Sequence, residues 1–514
     1  MIRGKIKKIL CIALAVLLLG LFAACGPAET GNEPKDYGDP NANTTVPDGS
    51  LALEIPQDGN GKEVIFVGTE LDPYWYTQNA GRTIIGEDEN YYIDGDVFND
   101  LFVGRIAEMG IEFFRMMFLT SWYCPDEEAY TTKNYDWDSD QMKSVYAMLD
   151  VAQTFGIEVC ATMWLWDSDF MKVNPENDWS LCTDHTVFAE VCADLIDYLI
   201  NERGYTCIKY FTPVNEPTST FRLTYNAPNA MYVFSDYVEM CQAMHDEFTE
   251  AGVRDDVLFI LSDDTMNKTW LEESGNQLGE IADILNSHNY SYTLEDSNAY
   301  MSGDGYDENL KAFADTANKY GKAHVFGEFG TNNPSQEEFK SPERGLQVAR
   351  IALNMFNAGS QGMSYWVLFN EFYYDEEDES SASMNTKMGL WGSADEDYAC
   401  RPVYYSYSML TRFVKKGMDI YTIECADEDI IAVAFSDGEN WTYCVVNTAE
   451  TTKNVSFLNR NLFPEHMARY VYDMNDVPTD NRVIAANGWF SCDGRVLTDT
   501  LPAQSFCVYS TLEG

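Results

Sequence analysis

The sequence is short of positive charge and of histidine. Against 83 acidic residues it sets 33 lysines and arginines and 5 histidines, a formal net charge of −50 over 514 residues. A field of that sign repels phosphate, which excludes nucleic acid and anionic lipid headgroups as natural partners. Uncharged ligands are indifferent to it. Any CxxC pair is also lacking, and the cysteines and histidines are scattered, so a zinc site has no ligand set to build on. Of the 13 cysteines, Cys160 and Cys207 sit in apolar runs that suit buried thiols, while Cys425, Cys444, Cys492 and Cys507 leave room for bridges. No apolar run is long enough to cross a bilayer with ease, and no internal repeat marks a solenoid.

What is present at the amino terminus is an address. Arg3, Lys5, Lys7 and Lys8 precede an apolar stretch from Ile9 to Phe22, the make-up of an export signal. The stretch ends in Leu21-Phe22-Ala23-Ala24-Cys25-Gly26, which resembles a bacterial lipoprotein signal. That resemblance implies removal of residues 1–24, lipidation of Cys25 and anchoring at the bacterial cell surface. The plainer alternative is a secretory signal with a chance cysteine. Losing the four basic residues leaves 29 basic against 83 acidic residues, a net charge of −54. Residues 25–59 are rich in Gly, Pro, Asn, Asp and Thr, with few large apolar residues before Leu51, and are expected to form a flexible tether.

From residue 60 to 416 short apolar runs alternate with amphipathic stretches, the pattern of a parallel sheet with crossover helices. Strands are expected at Val64 to Gly68, Ile111 to Met117, Ile157 to Trp164, Ile208 to Val214, Val257 to Ser262, Ile284 to His288, His324 to Gly327 and Gly362 to Leu368. Helices with three and four spacing separate them, the one near Gln277 being the least regular. Eight strands imply an α/β fold, a (β/α)8 TIM barrel. Residues 417–514 change to short alternating strands with Asp-Gly and Asn-Gly turns, read as a small C-terminal antiparallel β-sandwich.

In such a barrel the residues closing each strand face the active site. Here they are Arg115, Trp164 with Trp166, Asn215 with Glu216, His288 with Tyr290, Glu328 and Trp366. A carboxylate ending a buried strand is costly unless it faces a polar cleft, and two of them suit a general acid and a nucleophile. Asn215-Glu216-Pro217 after the fourth strand and Gly327-Glu328-Phe329-Gly330 after the seventh resemble clan A of the glycoside hydrolases. The nearest similarity is to family 5, the cellulase-like enzymes, through Arg115, Asn215-Glu216, His288-x-Tyr290, Glu328 and Trp366. The helix opening Arg401-Pro402-Val403-Tyr404-Tyr405 before a terminal β-domain resembles families 30 and 39. A histidine usual after the third strand in family 5 is missing, the chain reading Met163-Trp164-Leu165-Trp166-Asp167.

The resemblance implies a retaining glycosidase acting on β-linked oligo- or polysaccharide of the plant-glucan or mannan kind, without metal or organic cofactor and as a monomer. Glu216 would be the acid/base, kept protonated by apolar surroundings and nearby negative charge, and Glu328 the nucleophile, kept ionised by Arg115. Their carboxyl groups would lie about 5 Å apart. Asn215 would bond the sugar 2-hydroxyl and Tyr290 would position Glu328. Two alternatives stay open: a carbohydrate-binding lipoprotein, which would not need the paired glutamates, and a transglycosylase, which would share the covalent intermediate.

Aromatic rings at the catalytic end add to the sugar reading, because pyranose C–H faces stack on them. Tyr74-Trp75-Tyr76, Trp122, Trp164, Trp166 and Trp270 are expected in loops there. The run Asp375 to Glu379 lacks the interleaved spacing of a calcium loop and reads as a solvated segment.

Overall fold

A computed structural model describes residues 43–73, 97–176, 181–220, 234–265, 267–291, 304–331, 336–370, 388–392, 396–460, 464 and 466–513. The expected signal, Cys25, most of the expected tether, Tyr74-Trp75-Tyr76 and the acidic run at 375–379 lie outside the described residues.

Eight strands close a parallel barrel in chain order: β2 (Phe66–Leu71), β3 (Phe113–Phe118), β4 (Glu158–Met163), β5 (Ile208–Thr212), β6 (Leu258–Thr265), β7 (Ile284–Ser291), β8 (Ala323–Thr331) and β9 (Gly362–Tyr365). Each sits where the apolar runs predict it, with ends moved by a few residues. The strands are buried on both faces, as helices outside and side chains inside require. The crossover helices include Asp140–Phe155, capped by the Ser139 hydroxyl and ended by Gly156 at φ 71°, and Pro342–Asn357 with proline in its first turn. The least regular stretch is also helical, over Lys268–Leu278.

Inside the barrel two layers are stacked. At the amino-terminal end of the strands Phe66, Phe113, Cys160, Tyr210, Ile260, Ile284 and Val325 form an apolar floor, with the Phe66 and Phe113 rings stacked at 3.7 Å. Because side chains in a strand alternate, the next inward positions are two residues on. These are Gly68, Arg115, Thr162, Thr212, Asn286 and Gly327, and the layer turns polar. The two glycines are required by space. A Cβ on Gly68 would lie 2.1 Å from the Phe113 carbonyl oxygen, and one on Gly327 would lie 2.1 Å from Asn286 Nδ2.

After the helix Pro402–Phe413 the chain builds two further sheets. One runs β10 (Asp419–Ile423), β11 (Ile430–Ser436), β12 (Trp441–Asn447), β17 (Ser505–Ser510), β14 (His466–Asp473), β15 (Gly488–Ser491). The other is β1 (Leu51–Ile55), β13 (Lys453–Asn459), β16 (Val496–Leu501). This corrects one expectation. The tether does not extend to residue 59, because Leu51–Ile55 alternate in and out, bury Leu53 and Ile55 and pair with β13. That pairing is parallel, while the other pairings within the two sheets are antiparallel, as expected of the sandwich. The larger sheet shares a core with the barrel helices, as in the contacts Phe356 to Phe435 and Phe413 to Tyr470. The room for bridges is also unused: Cys425, Cys444, Cys492 and Cys507 are free thiols. Cys444 and Cys507 occupy adjacent registers on β12 and β17 and therefore face opposite sides of the sheet.

Candidate active site

The polar layer is organised by Arg115, 1% exposed at the centre of the barrel. Its guanidinium has four hydrogens on the two terminal nitrogens, and all four are taken. Nη1 donates to Glu70 Oε2 at 2.6 Å and to Glu328 Oε1 at 2.7 Å. Nη2 donates to Asn215 Oδ1 at 2.9 Å and to Asp263 Oδ2 at 2.7 Å. A planar fork of fixed donors is what allows one side chain on β3 to hold groups from four other strand ends. Burial alone would lower its affinity for a proton, but Asp263, Glu70 and Glu328 hold it well above the ordinary arginine range.

Glu328 sits on β8, 4% exposed, between that guanidinium and the Tyr290 hydroxyl, which donates to its Oε2. Glu216 follows β5 through Pro213-Val214-Asn215, in the left-handed region at φ 41°. The strain is held by bonds at both ends of the residue. Its amide donates to the Asp263 carbonyl at 3.1 Å, and its own carbonyl accepts from Ser219 and Thr220. The Glu216 side chain is 27% exposed, its Oε1 accepting from the Thr265 hydroxyl and lying 3.1 Å from His288 Nδ1.

His288, fully buried on β7, lies between the two glutamates. Its Nδ1 is 3.1 Å from Glu216 Oε1 and 3.3 Å from Glu328 Oε2, and its Nε2 is 3.2 Å from Asp263 Oδ1. An imidazole facing carboxylates at both nitrogens is stable there as the doubly protonated ring. Burial lowers its proton affinity, but Glu328 and Asp263 outweigh that and raise it well above the usual range. The consequence for Glu216 corrects the expectation of a carboxyl kept protonated. Burial pushes its proton affinity up, but the His288 hydrogen bond and charge and the Thr265 hydroxyl leave it below the ordinary glutamate range. Their 3.1 Å contact thus joins a ring that holds its protons more strongly than usual to a carboxyl that holds its proton less strongly.

Arg115, Asn215, Glu216, His288, Tyr290 and Glu328 thus converge as the strand ends predict. Trp366, with Met117 and Val367, forms a small apolar cluster against which Trp164 and Tyr290 pack. Trp166 does not join them: it is 1% exposed and packs edge-on against Phe188, beneath the helix His185–Asp197. Trp122 and Trp270 are likewise core residues, Trp270 against Phe234 and Tyr237.

Four site residues are absent from the sequence reading: Glu70, Asp263, Thr265 and Asn286. Glu70 has an inward signal, since it lies in phase with Phe66 and Gly68. Burial raises its carboxyl well above the ordinary range. Asp263 has none, because β6 bulges between Leu261 and Asp264, with Ser262 and Asp263 at φ 81° and 46°. Asn286 braces the floor of the site, donating to Asp263 and accepting from the Gly327 amide at 2.6 Å. The neighbouring Asp264 turns outward to the Thr218 amide at 3.0 Å, and burial pushes its carboxyl up to about 7.

One donor atom each of Glu216, His288 and Glu328 lie within 4.8 Å of one another. Such a spacing suits a shared cation or a shared proton. Thr265, Tyr290 and Asp263 already hydrogen-bond this trio, which favours the proton.

Neither a protein-family model nor a curated protein sequence matches the chain. Solved structures do. A glycoside hydrolase family 30 endoxylanase from Clostridium papyrosolvens is 13% identical, with a TM-score of 0.63 over 90% of this chain and 99% of that one. An endo-β-1,6-glucanase is 13% identical, with a TM-score of 0.64 over 92% and 95%. A family 39 β-xylosidase from Caulobacter crescentus is 12% identical, with a TM-score of 0.55 over 90% and 100%. At these identities the likeness is one of fold, and its coverage takes in the barrel and the appended β-domain together.

Proposed function

We propose that the chain is a retaining glycoside hydrolase of clan A that cleaves β-linked glycans by double displacement. The observation that carries this reading is the placement of Glu216 and Glu328, with side-chain oxygens within 4.8 Å at the carboxyl ends of β5 and β8. Retaining enzymes hold their carboxyl groups about 5 to 5.5 Å apart, whereas inverting enzymes leave about 6.5 Å or more for a water. In the first step Glu328, oriented by Arg115 and Tyr290, attacks the anomeric carbon while Glu216 protonates the departing oxygen. In the second, Glu216 accepts a proton from water, which displaces Glu328 from the sugar. Arg115 donates to the Asn215 side-chain oxygen Oδ1, which turns the Nδ2 amide towards a substrate hydroxyl. Trp366 and Trp164 supply apolar ring faces beside the nucleophile.

Export, lipidation of Cys25 and display at the bacterial cell surface belong to the same proposal, resting on the residues around Ala23-Ala24-Cys25. Incubation with 2-fluoro glycosides of glucose, xylose and mannose, followed by peptide mass spectrometry, tests the activity. A covalent adduct on Glu328 is expected, and its absence with every β-configured sugar would leave only a binding function. Hydrolysis of xylan, β-1,6-glucan, mixed-linkage glucan and mannan then ranks substrates, and transfer products in place of reducing ends would mark a transglycosylase. Metabolic labelling with a fatty acid, lost in Cys25→Ala, tests the anchor.

A further inference from the structure

Asp263 is a buried carboxylate outside the acid and nucleophile pair, and three features single it out. The bulge in β6 turns two consecutive non-glycine residues to positive φ, a conformation that persists only where the surroundings hold it. The bulge separates two neighbours: Asp263 points to the barrel centre, Asp264 to Thr218. Finally, Asp263 spends its oxygens on three donors, Arg115 Nη2, Asn286 Nδ2 and His288 Nε2, none of them on the surface.

The contact with His288 fixes which ring nitrogen faces which partner. With Nε2–H engaged by Asp263, Nδ1 is turned to Glu216 and Glu328. The charges around the ring are Asp263 and Asp264 from β6, Glu328 from β8, Glu216 after β5, Arg115 from β3 and Glu70 from β2. Asp263 is the carboxylate against Nε2, and it is ionised, since Arg115 and His288 outweigh its burial.

We propose that Asp263 is a positioning residue that keeps on His288 Nδ1 the proton that Glu216 relays to the leaving group. This rests on the glycosidase reading and deepens it. In the first step the bond from the anomeric carbon to the leaving oxygen breaks. The electron pair stays on that oxygen, and the Nδ1 proton passes to the Glu216 carboxylate and from it to that oxygen. The pair ends one proton poorer, and Glu328 is bonded to carbon. In the second step water bonds to the anomeric carbon, the Glu328 ester breaks, and the proton released by water returns to the pair. Glu216 and His288 thus titrate as one unit, whose proton affinity Asp263 raises.

Asp263→Asn tests this, because an amide oxygen still accepts from Nε2 while the charge is gone. Histidine labelled with 15N, the His288 signals assigned by their loss in His288→Gln, reports the ring directly. Both ring nitrogens of wild-type His288 should remain protonated at pH 7, and Asp263→Asn should lower the titration by about 1 to 3 units. The basic limb of kcat/KM for an aryl β-glycoside should move down by the same amount. A purely structural Asp263 would lower activity at every pH and leave the limb in place. A wild-type His288 neutral at pH 7, a titration unmoved by the substitution, or a titration that moves without the limb would each overturn the proposal. Should Asp263→Asn fail to fold, a wild-type ring that is neutral at pH 7 still overturns the proposal. If no glycoside is turned over, the glycosidase reading falls, while the titration still decides whether Asp263 holds that proton.

Discussion

The floor of the barrel and the layer above it are made by the same strands, two residues apart. On β3 the floor residue is Phe113 and the next inward residue is Arg115; on β7 they are Ile284 and, two positions on, Asn286 and then His288. The floor returns free energy as apolar area removed from water, roughly 25 cal/mol per Å². The upper layer gathers Glu70, Asp263, Glu216 and Glu328 around two cations, an arrangement in which desolvation opposes the attraction gained. One layer holds the barrel together; the other uses that stability to keep charged groups aimed and dry.

That contrast predicts variants of opposite character. The largest effect is expected for Glu328→Gln, which should lower kcat by about 10⁴-fold or more while melting no lower than wild type, because a carboxylate leaves a crowded negative site. Calorimetry beside steady-state kinetics checks both halves. Glu216→Ala should cost about 10² to 10⁴-fold on substrates with poor leaving groups. It should spare activated aryl glycosides and be partly rescued there by azide; equal loss on both classes would remove Glu216 from the acid/base role. In the floor, Phe66→Ala should cost about 3 to 5 kcal/mol in denaturant unfolding with little change in kcat/KM per folded molecule. A kinetic defect as large as that of Glu216→Ala would dissolve the distinction between the layers.

The smallest effect concerns Asp264. Its folded carboxyl is pushed up to about 7 from an ordinary value of 3.8, so the folded state binds the extra proton between those limits. Stability on its account falls as pH rises from about 4 to 7, by an upper bound of about 4 kcal/mol. Asp264→Asn should therefore unfold at higher denaturant than wild type at pH 8, and the gap should close towards pH 4. A gap that widens on acidification would reverse the sign assigned to this group.

Periodicity carries far in this chain because barrel strands are local. Each is a run of apolar residues, and its closing residue lands at the mouth whatever its partners are. Arg115, Asn215, Glu216, His288, Tyr290 and Glu328 are legible for that reason. Asp263 is not, because a bulge breaks the alternation that would place it. Nor does a loop pattern say which way a ring turns, and Trp166, Trp122 and Trp270 turn into the core. β1 is hidden for a third reason, since its partner β13 lies some four hundred residues away and five alternating residues do not name it. The ionisation of Glu216 depends on distances to His288 and Thr265 that separate strands bring together.

The pairing of β1 with β13 also has a mechanical consequence. Tension applied to the chain ahead of Leu51 would reach the short sheet of the sandwich first, loading the ladder from Leu51 to Ile55 along its length. Parallel strands pulled this way share the force among all their hydrogen bonds at once, unlike a ladder opened from one end. The first barrel strand, which begins at Phe66 and carries Glu70, sits behind that clamp. Strain on the leading segment would be borne by the sandwich before it disturbed the alignment of Arg115 with Glu328.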